Sequence, residues 1–142
     1  MISAQAIVSE FDVERLDYIL GTLGERDKLV KDRLILKLDQ ADIHESKDVP
    51  PTVVTLNSTV LFRLSNAKEP LKMTLTLPSR KPQPEDSISI LTPTGIALLG
   101  LSEGSETTYT LMNRVTATLW VDKIVYQPER GLIRIDSKQR VG

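Results

Sequence analysis

Apolar residues follow two different rhythms along this chain, and the change falls near Asp48-Val49-Pro50-Pro51. Before it, Val13, Leu16, Leu20 and Leu23 recur at steps of three and four, the spacing of one helix face. Ser9 stands where an N-cap belongs, with Asp12 three residues on in the place usually held by Glu or Gln. Gly21 and Gly24 bracket a break. A second helical pattern begins near Asp27, with Leu29 or Val30, Leu34, Leu38 and Ala41 on one face. Two amphipathic helices joined by a short glycine-containing turn predict an antiparallel helical hairpin. Helices of ~12 and ~16 residues reach only about 18–24 Å. So short a hairpin has little core of its own. Its Leu16, Leu20, Leu34 and Leu38 faces are expected to lean on the rest of the chain or on another copy, giving a homo-oligomer.

After the two prolines, which cannot continue a helix, apolar residues alternate. Val60, Phe62 and Leu64 form one set, and Leu71, Met73, Leu75 and Leu77 another. Ser87 to Ile90, Thr107 to Met112 and Val115 to Tyr126 read as further strands. Thr92 before Pro93, followed by Ala97-Leu98-Leu99, marks one short helix. The predicted fold is α+β: a hairpin over residues 1–48, then an antiparallel sheet of about five strands packed on one short helix over residues 49–128. Residues 129–142 are a polar, basic tail in which Leu132, Ile133 and Ile135 suit one more edge strand.

Charge sharpens the division. Residues 1–48 carry 7 basic and 11 acidic side chains, and residues 49–142 carry 11 and 8. The net charge of −1 argues against an independent duplex-DNA binder, which needs a basic excess. Aromatics at 4% make a poor base-stacking surface. The absence of cysteine removes disulfides, thiolate metal sites and thiol nucleophiles. Any histidine-dependent triad would have to pass through His44. The N-terminus lacks the charged start and apolar run of a secretory signal, and no stretch is apolar enough to span a membrane. The cytoplasm is the expected compartment.

Candidate chemistry is sparse in 142 residues. His44 lies among Asp42, Glu45 and Asp48, which reads either as a metal cluster or as a solvated helix end. Glu25 and Asp27 in the hairpin turn could hold a divalent cation. Their plainer reading is a solvated Glu25 and an Asp27 that caps the second helix. Trp120, Tyr109 and Tyr126 fall on predicted strands, where aromatics most often fill core. No phosphate loop, dinucleotide fingerprint or nucleophile elbow is present. Neither a metal nor a cofactor is expected.

The most specific text runs from Ser87 through Leu91-Thr92-Pro93-Thr94-Gly95 and Ala97-Leu98-Leu99-Gly100 to Gly104-Ser105. It resembles the C-terminal domain of the Gre family of bacterial transcript-cleavage factors. That family carries Ile-Ser, then Ser-Pro-x-Gly or a near variant, then Ala-Leu-Leu-Gly and a Gly-Asp turn. Val53 to Val60 resembles its preceding strand, and the short first part resembles Gre relatives with a truncated hairpin.

The resemblance implies a helical hairpin followed by an FKBP-like domain. It implies bacterial RNA polymerase as partner, with the C-terminal domain docked at the rim of the secondary channel and DNA reached only through polymerase. The docking loop then falls on Leu91, Thr92, Pro93, Thr94 and Gly95. In the cleavage factors, acidic residues at the hairpin tip help position a catalytic metal, which makes Glu25 and Asp27 the corresponding candidates. This chain departs there, with Gly24-Glu25-Arg26-Asp27-Lys28 in place of Gly-Asp-x-x-Glu-Asn. The expectation is therefore a polymerase-binding regulator with no active site of its own. A cleavage-stimulating elongation factor is the first alternative. An FKBP-like peptidyl-prolyl isomerase is the second, and two Phe, one Trp and three Tyr leave little for its pocket.

Overall fold

A computed structural model describes residues 5–78, 83 and 85–130. The chain opens with a short strand, β1 (Ile7–Ser9), and turns directly into α1 (Glu10–Thr22). A 3-10 turn over Glu25–Asp27 leads into α2 (Lys28–Gln40), and β2 (Asp42–His44) returns parallel to β1. Both helices have 13 residues, about 20 Å each. The second is shorter than predicted. Ala41 leaves helical geometry, and the chain turns to pair Asp42 with Ile7. Ser9 caps α1 as its sequence indicates, its hydroxyl accepting from the Asp12 N–H at 3.0 Å.

Five strands follow: β3 (Thr59–Leu64), β4 (Leu71–Thr76), β5 (Ser87–Ser89), β6 (Glu106–Thr110) and β7 (Thr116–Tyr126). They lie in the order β5-β4-β3-β7-β6, with α3 (Pro93–Leu98) packed on the sheet. The predicted strand positions hold, but the sheet is mixed rather than antiparallel. β5 runs parallel to β4, Thr74 facing Ser87. Alternation has a period of two whichever way a strand runs, so direction was not readable from it. The suggested strand at Leu132, Ile133 and Ile135 lies outside the described residues.

One hydrophobic core joins the helices to the five-stranded sheet. Val8, Leu16 and Leu34 from the first part sit in a cluster with Val54, Leu56, Phe62, Leu75, Leu98, Leu99 and Leu119. Leu20 and Leu38 pack against its margin. Of the two expected resting places for these helix faces, the structure shows the rest of the chain: they pack on the sheet's core. Exposure falls instead on Phe11, Tyr18, Leu29 and Leu36. Of the two candidates for the inner face of α2, Val30 is the one that packs.

The aromatic expectation fails on β7. Register shifts opposite Thr59 to Phe62 put Val121 and then Ile124 inward. Trp120 lies on the outer face beneath the Arg63 guanidinium, and Tyr126 is exposed. Tyr109 alone of the three packs against the core. No described helix is long and apolar enough to cross a membrane.

Candidate functional site

The segment from Leu91 to Gly95 is held by its own hydrogen bonds. Thr92 caps α3, its hydroxyl accepting from the Gly95 N–H at 3.0 Å and donating to the Ser89 carbonyl at 2.7 Å. The Leu91 N–H donates to the Ser89 hydroxyl at 3.0 Å. Pro93 opens the helix, where its missing N–H costs nothing. The Thr94 hydroxyl and the Tyr109 phenol share a 2.7 Å hydrogen bond, which ties the loop to β6. Burial pushes the Tyr109 phenol above its ordinary pKa, and the bond to Thr94 opposes that shift.

Glycine is required at position 95. A Cβ there would stand 2.1 Å from the Ser89 carbonyl oxygen. Gly100 meets a different need. Its φ of +84° is left-handed, and a Cβ would meet Ala6 at 2.6 Å where β1 lies across it. Leu91, Thr92, Pro93 and Thr94 are half-buried and reach the surface on a fixed backbone.

Beside this loop, a groove of about 320 Å³ runs between α2, α3 and β6. Pro93 and Ile96 line one wall, Leu36 and Lys37 another, and Thr108 and Thr110 a third. The Lys37 ammonium donates to the Ala97 carbonyl at 3.2 Å, and burial lowers its pKa to about 8. Arg33 donates to the Thr110 carbonyl at 2.5 Å. The sequence reading missed Arg33 and Lys37 and read Tyr109 only as a core aromatic. Arg33 and Lys37 stand four apart on α2, which looks like any solvated helix face until α3 and β6 close over it.

The tip candidates are elsewhere. Glu25 borders a separate recess with Leu23, Gly24, Lys28, Lys31 and Asp32, none of which touches the Pro93 groove. Asp27 occupies the N-cap position of α2 but makes no side-chain capping bond, contrary to the reading of it as a cap. Its backbone instead closes the 3-10 turn, donating to Gly24 at 3.0 Å. His44 lies on β2 rather than at a helix end, 2.9 Å from the Asp42 carboxylate. Among the described residues no three His, Cys, Asp or Glu side chains gather as a metal would require.

A buried polar cluster, unforeseen as such, joins α1 to the turn ahead of β3 and to the segment after β7. Asp12 accepts from Arg15 and from the Leu56 N–H, the latter at 3.1 Å. Thr55 donates to Glu129 at 2.7 Å and pairs with Ser58 at 2.7 Å. Asn57 between them takes a φ of +68°, which asparagine tolerates better than most residues. Burial, the dominant cause, raises the Glu129 pKa above its ordinary value.

The chain is a mixed α+β structure with a curled sheet, a GreA/GreB-like fold. Residues 49–126 match the family described as transcription elongation factor GreA/GreB, C-terminal part. The chain belongs to the GreA/GreB family, and it is a transcription-regulatory factor related to Gre. A regulator of nucleoside diphosphate kinase from Escherichia coli strain K12 is 33% identical over 123 residues, spanning 87% of this chain and 90% of that protein. The Shigella flexneri protein of that name gives the same figures. The solved prokaryotic transcription elongation factor GreA/GreB from Nitrosomonas europaea is 34% identical, with a TM-score of 0.66, covering 87% of this chain and all of that one.

Proposed function

We propose that this protein binds bacterial RNA polymerase and modulates transcription without an active site of its own. Leu91, Thr92, Pro93, Thr94 and Gly95 form the docking surface, at the rim of the secondary channel. DNA is met only through polymerase, in the cytoplasm. The observation that carries this reading is the bonded loop itself. Its backbone is fixed before any partner arrives, so docking loses little conformational freedom. The loop also lies inside the stretch that matches the family.

Helix length and tip chemistry favour regulation over cleavage. Each helix reaches about 20 Å, and a carboxylate acts on a metal only in direct or water-bridged contact. Basic Arg26 and Lys28 flank the carboxylates of Glu25 and Asp27. Pro93→Asp should weaken retention of the protein by core RNA polymerase in a pull-down while leaving its folding midpoint nearly unchanged. Undiminished retention of a well-folded variant would place the docking surface elsewhere.

A further inference from the structure

β6 ends the sheet, and its outer edge pairs with no described strand. The register shows which backbone groups that edge offers. Thr118 on β7 faces Thr108 on β6. Thr118 spends both its backbone groups on Ser65, its N–H donating to the hydroxyl at 2.9 Å and its carbonyl accepting from the N–H at 2.9 Å. Thr108 and Thr118 are therefore a pair that exchanges no hydrogen bonds. In an antiparallel ladder the N–H and C=O of Thr108 then point away from β7. Thr110 has the same parity, and its carbonyl meets Arg33 from α2 on that outer side.

The edge opens into the groove beneath α2. Arg33 and Lys37 line that groove, and its lining holds no carboxylate. Neither cation makes an ion pair among the described residues. Burial already strips Lys37 of hydration, a cost that an arriving carboxylate would offset. Leu36, Pro93 and Ile96 supply an apolar margin.

We propose that the outer edge of β6, with Arg33 and Lys37 beside it, is a docking site for an extended acidic segment of a partner protein, which pairs with Thr108 as an added strand. Side chains of such a segment alternate, so carboxylates at every second position face the cations and the residues between face away. Charge selects the segment, and the Thr108 backbone fixes its register. The inference goes beyond polymerase binding, since it specifies the chemistry of the segment and not the protein that carries it.

The test is a nuclear magnetic resonance titration of the full chain with the blocked peptide Thr-Glu-Val-Glu-Thr-Glu. Saturable shifts at the Thr108 and Thr110 amides, with slowed exchange of the Thr108 amide, are expected. The Arg33→Gln, Lys37→Gln double variant should bind at least about tenfold more weakly, as should a peptide with Lys for Glu. The same peptide N-methylated at every residue has no N–H on either edge, cannot pair and should not protect Thr108. That arm uses the unaltered protein and stands even where the double variant folds poorly. Equal binding of the lysine or N-methylated peptide would overturn the proposal. So would protection of Thr108 that grows with protein concentration alone, which would make the occupant a second copy.

Discussion

The Asp12 carboxylate, one turn into α1, accepts the backbone N–H of Leu56, 44 residues further along the chain. Asp12 is fully buried and also holds Arg15, so one side chain fixes α1 to the turn that leads into β3. The Ser9-to-Asp12 capping spacing thus serves two ends: Ser9 starts the helix, and Asp12 anchors it.

Asp12→Ala should destabilise the fold by about 2–4 kcal/mol, because it leaves a buried N–H and a part-buried guanidinium without its carboxylate. Asp12→Asn keeps an acceptor for Leu56 and should lose less. Urea unfolding measures both. Amide exchange at Leu56 should accelerate in the alanine variant more than at core residues such as Phe62. A variant as stable as the parent would show that α1 is not anchored through this contact.

Glu129 introduces a pH dependence of definite sign. Its folded pKa lies above the ordinary value of 4.5, so between the two the folded state binds more protons than the unfolded. Its contribution is therefore fully present below the unfolded value and falls as pH rises through the folded value. Glu129→Gln keeps a hydrogen-bond partner for Thr55 and removes the titration. The stability difference, variant minus parent, should grow as pH rises across that window and then level off. A difference that shrinks with rising pH would contradict the burial account.

Gly95→Ala should cost about 1–3 kcal/mol or more, the range for forcing an atom into a closed space. The Cβ would collide with the Ser89 carbonyl, which itself accepts from Thr92. Gly24→Ala, with nothing near the new atom, is the control and should change stability by less than about 1 kcal/mol. Thermal unfolding of the two variants checks the contrast.

Much of this fold is written in the alternation of Val60, Phe62, Leu71 and Leu75 and in the helical spacing of Leu16, Leu34 and their neighbours. Those residues are core because their periods match their elements. On β7, Leu119 and Val121 take the inner face, so alternation itself puts Trp120 outward, and the period then breaks at two register shifts that bring Ile124 inward and leave Tyr126 exposed. β1 and β2 are three residues each, too short to show a period. The docking role proposed for Leu91 to Gly95 came only from the family resemblance, whereas the helix start at Thr92-Pro93 was legible because cap and proline each have a local reason to be there. Arg33 and Lys37 had none. Their setting is made by α2 packing on α3, a tertiary fact that no local spacing records.

The tip separates two transcription readings. Glu25 is exposed and Asp27 makes no capping bond, so replacing both with Ala should shift stability by no more than about 0.5 kcal/mol. In arrested polymerase complexes neither the parent nor this variant should raise RNA cleavage above the intrinsic rate. Strong cleavage by the parent, lost in the variant, would instead establish the cleavage-factor reading.

The most direct measurement is equilibrium binding of the labelled protein to core RNA polymerase, titrated with an unlabelled full-length Gre factor. The polymerase-docking account predicts saturable binding that the Gre factor displaces completely, with Pro93→Asp binding more weakly than the parent. Absence of saturable binding, or binding that the Gre factor leaves untouched, would contradict it.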